Sequence, residues 1–403
     1  MTMYAKRAWL AAAALMALAL PATAAEAPGV TANEIKIGQT MPYSGPASAY
    51  GTIGKAETAY FKMINEQGGI KGHKLNLISL DDGYSPPKTV EQIRRLVEQE
   101  DVAFIFQSLG TPSNSAIQKY LNAKKVPQLF VATGASKWGD PQHFHWTMGW
   151  QPDYRTEARI YAKYILKEKP NAKIGVLYQN DDFGKDYLIG LKEGLGDKHA
   201  KMIVQEASYE VTDPTVDSQI VALQSSGADT LLTAATPKFA AQAIRKVYDI
   251  GWKPLHFMTN VSISVASVMT PSGPEKGVGI ISAAYGKDPT DPKWKDDPAM
   301  KQWHAWMAKY YPDGDQNDAS NVFGYGVAMT MVQVLKQCGN DFSRENVMKQ
   351  AANLKNFEVP TLLPGIKINT SPTDYYPIQQ MQLEKWDGKT WVLFGDVISG
   401  AGT

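Results

Sequence analysis

The 403-residue chain carries 41 Lys and Arg against 40 Asp and Glu, a formal net charge of +1, one cysteine and 44% hydrophobic residues. A charge so near zero excludes a nucleic-acid partner held by a basic face, and a single cysteine excludes an intramolecular disulfide. The length exceeds what one core usually organises, so two domains are expected.

The first element reads as an export leader. Lys6 and Arg7 precede an apolar run over 8–20, and "PATAAEA" supplies the small residues that favour cleavage after Ala24 or Ala25. The run is shorter than the ~18 apolar residues needed to span a bilayer, so residues 1–25 are expected to be a cleaved signal peptide rather than an anchor. Cys338 lies far from the cleavage site, which leaves no cysteine there for a lipid. Loss of Lys6 and Arg7 leaves 39 basic against 40 acidic residues. An exported chain without cross-links, large enough to rely on its own core, fits a bacterial periplasm.

A β–α alternation follows. Short β-branched or aromatic runs at 34–40, 75–80, 102–107 and 128–131 are separated by stretches with apolar residues at helical spacing, at 56–65, 89–98 and 113–122. Such alternation predicts parallel strands under right-handed crossovers. The rhythm restarts with strands expected at 173–178, 202–207, 230–233 and 256–258 and helices around 186–194, 214–224 and 239–248. Two successive α/β lobes are therefore expected, with Trp150 at the crossover before the helix start at Gln151-Pro152-Asp153. Beyond Gly277, "KGVGIISAAY" reads as a strand, 299–310 and 319–337 as helices, and "YYPIQQMQLEKWDGKTWVLFG" as a hairpin turning at Asp387-Gly388. The aromatics of that hairpin, Trp391 included, are expected to serve packing rather than a site.

Ligands of open α/β sheets collect beyond the C-terminal ends of strands. The loops at 42–54, 81–87, 108–113, 132–138, 180–184, 233–237 and 259–264 come from both halves, which predicts a cleft between lobes. The first, "QTMPYSGPASAYGTIGKAE", has the small-residue content of a phosphate loop. Ala49 stands where its first Gly belongs, however, and Ala56 follows Gly54-Lys55 where Ser or Thr is needed.

Catalytic chemistry finds little support. The chain has no Gly-x-Ser-x-Gly elbow and no His-Glu-x-x-His, which weighs against an exported α/β hydrolase, the enzyme alternative. His143 and His145 flank Phe144 without a third metal ligand nearby. Asp81-Asp82 and Asp181-Asp182 sit at strand ends, where Asp most often caps a helix or organises a turn. No enzyme activity, cofactor or metal is expected. The same loops are instead rich in aromatics: Tyr43, Tyr50, Tyr84, Trp138, Trp150, Tyr154 and Phe183. These suit the apolar walls of a small-molecule pocket; for Tyr43, Trp138 and Tyr154, packing between the lobes is the alternative.

The stretches "IKIGQTMPYSGPASAYG", "INEQGGIKGHKLNLISLDD", "KYILKEKPNAKIGVLYQNDDFGKD" and "QIVALQSSGADTLL" resemble, in order and across both lobes, the solute-binding proteins of ABC transporters of the leucine/isoleucine/valine-binding type, the type I periplasmic binding proteins. The resemblance implies an α/β fold of two Rossmann-like lobes with parallel sheets joined by a three-segment hinge. It places 26–150 and 282–365 in the N-terminal lobe and 151–281 and 366–403 in the C-terminal lobe. It further implies a monomer that closes on a small-molecule solute and presents the closed form to the membrane permease subunits of an ABC importer. A periplasmic sensor module of the same fold is the other non-enzyme alternative.

By the same resemblance, "SLGTPSNS" and "VATGAS" supply the polar anchor for a ligand carboxylate, so that Gly110, Thr111, Ala132, Thr133 and Gly134 look like anchor residues. Pro112 lacks an N–H to contribute, and Ser113 and Asn114 look like support for the helix start. Phe183 matches an aromatic lid and Thr236 a second-lobe contact. Tyr84 and Leu109 stand where some relatives bridge two cysteines, and Tyr50 and Trp150 look like further walls. Where an amino-acid binder of the family places an acid for the ligand's ammonium, this chain has Val261, next to Asn260. A buried ammonium without a carboxylate partner is costly. The expected ligand is therefore an aromatic or aliphatic carboxylate rather than a free α-amino acid, with a branched-chain amino acid or a neutral amide as alternatives.

Overall fold

The computed structural model describes residues 27–400; the expected signal peptide lies outside the described residues. Five strands form the first sheet: β1 (Glu34–Met41), β2 (Lys74–Asp81), β3 (Phe104–Phe106), β4 (Gln128–Val131) and β5 (Thr147–Gly149), in the order β2-β1-β3-β4-β5. Every pairing in it is parallel. The strands show why. β3 and β4 are buried at every position, as parallel strands covered on both faces must be, so they read as continuous apolar runs.

The second sheet holds β6 (Ile174–Gln179), β7 (Ile203–Tyr209), β8 (Thr230–Ala234), β9 (Leu255–Met258), β10 (Ile281–Ala284), β11 (Gln380–Trp386) and β12 (Trp391–Ser399). Its order is β12-β11-β10-β9-β8-β6-β7. The five strands from β6 to β10 repeat the winding of the first sheet, and β11 and β12 add an antiparallel edge. In both sheets the order reverses beside the first strand of the lobe, the switch point at which helices leave on opposite faces and a crevice opens.

Helix starts are fixed by side chains. Asp153 accepts from the Thr156 N–H, and Asp181 accepts from the N–H groups of Phe183 and Gly184. Asp82 accepts from the Tyr84 N–H and the Thr89 hydroxyl, while Asp81 holds Ser44 and Lys88. Asp81, Asp82 and Asp181 thus organise turns and caps, as their positions at strand ends suggest, while Asp182 pairs with Lys137.

The return segment departs from the expected 282–365. Ser282 to Ala284 belong to β10, which pairs with β9 and β11 in the second sheet. Ile366, Ile368, Tyr375 and Ile378 pack into the first-lobe core with Ile35 and Phe104. The chain therefore crosses back after Ala284 and returns only just before Gln380. The helices Pro298–Tyr310, Ala319–Gln337 and Arg344–Ala351 of this segment cover the first sheet. Two further cores lie on either face of the second sheet. In the hairpin, Trp386 and Trp391 are buried with ring centroids 5.5 Å apart. Their indole N–H groups donate to the Pro274 and Ile263 carbonyls, which accounts for buried polar atoms in an otherwise apolar contact.

Candidate ligand-binding site

The strand-end loops of the two lobes enclose a cavity of ≈ 140 Å³. Eleven of the residues expected at the site line it. Tyr50, Tyr84, Leu109, Gly110, Thr111 and Ala132 come from the first lobe, Trp150 from the first crossover, and Phe183, Thr236, Asn260 and Val261 from the second lobe. Thr133 and Gly134 do not line it. Thr133 stands one layer back, its Oγ1 2.5 Å from the Thr111 Oγ1 and accepting from the Ala135 N–H. The Gly134 carbonyl accepts from the Tyr154 N–H at 2.8 Å, and a Cβ on Gly134 would meet the Pro152 carbonyl oxygen at 2.6 Å. Both residues therefore shape the wall from behind.

The polar anchor is narrower than the resemblance implies. The Gly110 N–H donates to the Ala132 carbonyl and the Ala132 N–H to the Ser108 carbonyl, so neither is left for a ligand. The Thr133 N–H likewise donates to the Val131 carbonyl. The hydroxyl of Thr111 remains on the wall. Its N–H, at the first position of the helix Thr111–Ala123, is among the donors that a helix start leaves without a helical carbonyl.

The walls are aromatic. Phe183 is 2% exposed and packs edge-on to Tyr154 at 5.0 Å. Tyr154 lines the cavity and stacks on Tyr187, whereas Tyr43 and Trp138 lie outside the lining. Of the three rings with two readings, only Tyr154 therefore belongs to the wall. Trp150 meets Phe323 edge-on at 5.2 Å and donates its indole N–H to the Thr330 hydroxyl. Tyr84 adopts φ 60, and Gly110, with φ 100, lets the Tyr84 ring lie where a Cβ would come within 2.5 Å of it.

Side-chain hydrogen bonds also join the lobes around the cavity. The Tyr50 hydroxyl donates to the Val261 carbonyl at 2.9 Å, the Gln179 amide donates to the Tyr84 hydroxyl at 3.3 Å, and the Ser264 hydroxyl donates to Asp318 at 2.9 Å. Behind Val261, the buried Glu157 accepts from the Asn260 N–H and side-chain amide and from the Tyr161 and Tyr187 hydroxyls. Burial pushes its carboxyl up to about 7, against the pull of those hydrogen bonds. With its amide held by Glu157, Asn260 is fixed in place, and Val261 presents no acid to the cavity.

Sequence reasoning missed the part of the wall nearest the second crossover: Tyr285, Lys287, Asp288 and Phe323, and Glu384 of β11. Residues 285–288 follow the end of β10, so the same strand-end rule extended to that strand finds them. Glu384 carried no such signal. The histidines remain apart from the site: His143 pairs with Asp140 at the surface and His145 lies against Tyr375. Among the described residues no group of three or more His, Cys, Asp or Glu could hold a metal, and no helix is long and apolar enough to cross a membrane.

A family model described as periplasmic binding protein matches residues 34–390. The chain belongs to the periplasmic binding protein family. This periplasmic binding protein is 23% identical over 405 residues to the Leu/Ile/Val-binding protein homolog 7 of Brucella suis biovar 1 (strain 1330), covering 96% of each chain. Its fold is similar to that of a fatty acid ABC transporter substrate-binding protein from Thermomonospora curvata, with TM-score 0.78 and 22% identity over 94% of this chain and 96% of that one. It is also similar to a branched chain amino acid ABC transporter protein from Thermus thermophilus with bound valine, with TM-score 0.82 and 15% identity over 92% and 97%. The two-lobed α/β fold is that of the type I periplasmic binding proteins. The relatives are substrate-binding proteins, and this chain is a binding protein and not an enzyme.

Proposed function

We propose that this periplasmic binding protein is the solute-capturing component of an ABC importer. It works as an exported, cleaved and unanchored monomer that traps a small organic solute between its lobes and delivers it to membrane permease subunits. The solute is an aromatic or aliphatic carboxylate rather than a free α-amino acid. The observation that carries this reading is the wall opposite the anchor: Val261 stands there and the Asn260 amide is already held by Glu157. An α-ammonium turned toward Val261 would find no acid on that loop to pair with. At the other side, the Thr111 hydroxyl and the helix start favour a negatively charged group. The names of the relatives favour a second reading, a branched-chain amino acid.

A thermal-shift screen separates the two, because a ligand that binds only the folded state raises the melting temperature. Stabilisation by benzoates, phenylpropanoids or short fatty acids without stabilisation by leucine, isoleucine or valine is the expected result. Strong stabilisation by leucine would overturn the reading of Val261.

A further inference from the structure

The part of the wall formed by the second crossover and β11 carries two carboxyl groups, each with an oxygen that the fold leaves unpaired. Asp288 follows β10 and is 7% exposed; its Oδ1 accepts from the Thr290 N–H and hydroxyl, while its buried Oδ2 has no partner. Glu384 lies opposite Ser282 on β11, is 1% exposed, and its buried Oε1 also lacks a partner. Both residues line the cavity. The cation on the same wall, Lys287, is already paired to Asp297 at 2.8 Å and does not neutralise them. Buried acceptors are almost always satisfied, and two unpaired carboxyl oxygens at one cavity wall mark a place where something else completes the bonding.

We propose that the solute carries a second, cationic pole, an ammonium remote from its carboxylate, which is held by Asp288 and Glu384. This rests on the reading of the cavity as the site of a carboxylate solute. It deepens that reading by placing the amine at carboxyls of the loop after β10 and of β11 instead of at Val261 on the loop after β9. A cation there supplies donors to both orphaned oxygens and offsets the burial, and after it the repulsion from Asp288, that push the Glu384 carboxyl up. An α-amino acid keeps its two charges on adjoining carbons, whereas an ω-amino acid carries them apart, one for the first-lobe anchor and one for the carboxyls after β10 and on β11.

The test is titration calorimetry with γ-aminobutyrate, δ-aminovalerate and ε-aminocaproate, the plain carboxylates of matching length, and the matching n-alkylamines. Wild type, Glu384→Gln and Asp288→Asn are compared. At least one ω-amino acid is expected to bind about tenfold or more tightly than its plain carboxylate. Glu384→Gln should abolish that advantage and Asp288→Asn should reduce it, while the plain carboxylate binds each variant at least as tightly as wild type, because an acid that would repel it is gone. Both variants should melt no lower than wild type, since each replaces a carboxyl whose ionisation burial disfavours with a neutral amide of the same shape. Plain carboxylates that bind while the amine adds nothing would overturn the cationic pole and leave the carboxylate reading standing. Alkylamines that bind while no carboxylate does would support the pole and overturn the carboxylate reading. No binding by any member of the panel would count against both.

Discussion

The Tyr50 hydroxyl donates to the Val261 carbonyl across the mouth of the cavity at 2.9 Å, joining the loop after β1 to the loop after β9. One residue from each lobe thus meets where a solute would be covered, and the bond exists only when the lobes are together. Tyr50→Phe keeps the ring and removes the bond. The closed form should lose about 1 kcal/mol, which weakens affinity about fivefold for any solute held in the cleft. Titration calorimetry with the strongest compound of the thermal-shift screen measures this, and unchanged affinity would show that the bond does not hold the lobes together.

The winding of both lobes was legible because their strands are short buried runs between amphipathic helices, a pattern that needs no partner to be read. The strand-end loops then held ten of the eleven expected wall residues, most of them picked out within the loops by the family resemblance, and Trp150 came from the crossover. What escaped depends on pairing. The run at β10 reads as a strand in either lobe, and only its contacts with β9 and β11 assign it to the second sheet, which moved the crossover past residue 282. Glu384 alternates with apolar neighbours in "MQLEKW" as a solvent-facing residue would. Yet β11 lies between β10 and β12, and the face that carries Glu384 and Trp386 is covered at this end while Lys385 on the other face is exposed, so the polar position is buried. Gly110 and Ala132 were rightly placed on the wall, but their N–H groups were consumed by backbone pairing that no single segment reveals.

Phe183 closes one side of the cavity and packs against Tyr154 and Tyr187. Phe183→Ala should cost about 3 to 5 kcal/mol of stability as a core truncation and also weaken solute binding. Urea melts give the first quantity and calorimetry on the folded variant the second. A variant that is destabilised but binds with wild-type affinity would place Phe183 in the core alone.

Gly110→Ala tests the wall geometry. The added carbon would stand 2.5 Å from the Tyr84 ring, at a φ of 100 that alanine resists. A loss of about 1 to 3 kcal/mol in chemical denaturation is expected, with weaker binding as Tyr84 is displaced. Wild-type stability would contradict the close approach of that ring.

Glu157 makes stability depend on pH. Its carboxyl is raised from 4.5 to about 7 in the fold, so the folded protein keeps a proton that the unfolded chain has released. The contribution is therefore full below about pH 4.5 and is lost as pH rises through about 7. Between about pH 5 and pH 7.5, wild type should lose about 2 to 3 kcal/mol relative to Glu157→Gln, measured by urea unfolding at both values. Parallel slopes for the two proteins would contradict an ionisation at this buried position.

The central claim is that the solute sits between the lobes, against Tyr50, Thr111, Trp150 and Val261. A crystal structure with the strongest ligand of the screen tests it most directly. The expected result is ligand density in that cavity, with the carboxylate at the Thr111 end and the Tyr50 to Val261 bond intact. Density bound elsewhere, or a carboxylate turned toward Val261 in a cleft held open, would contradict it.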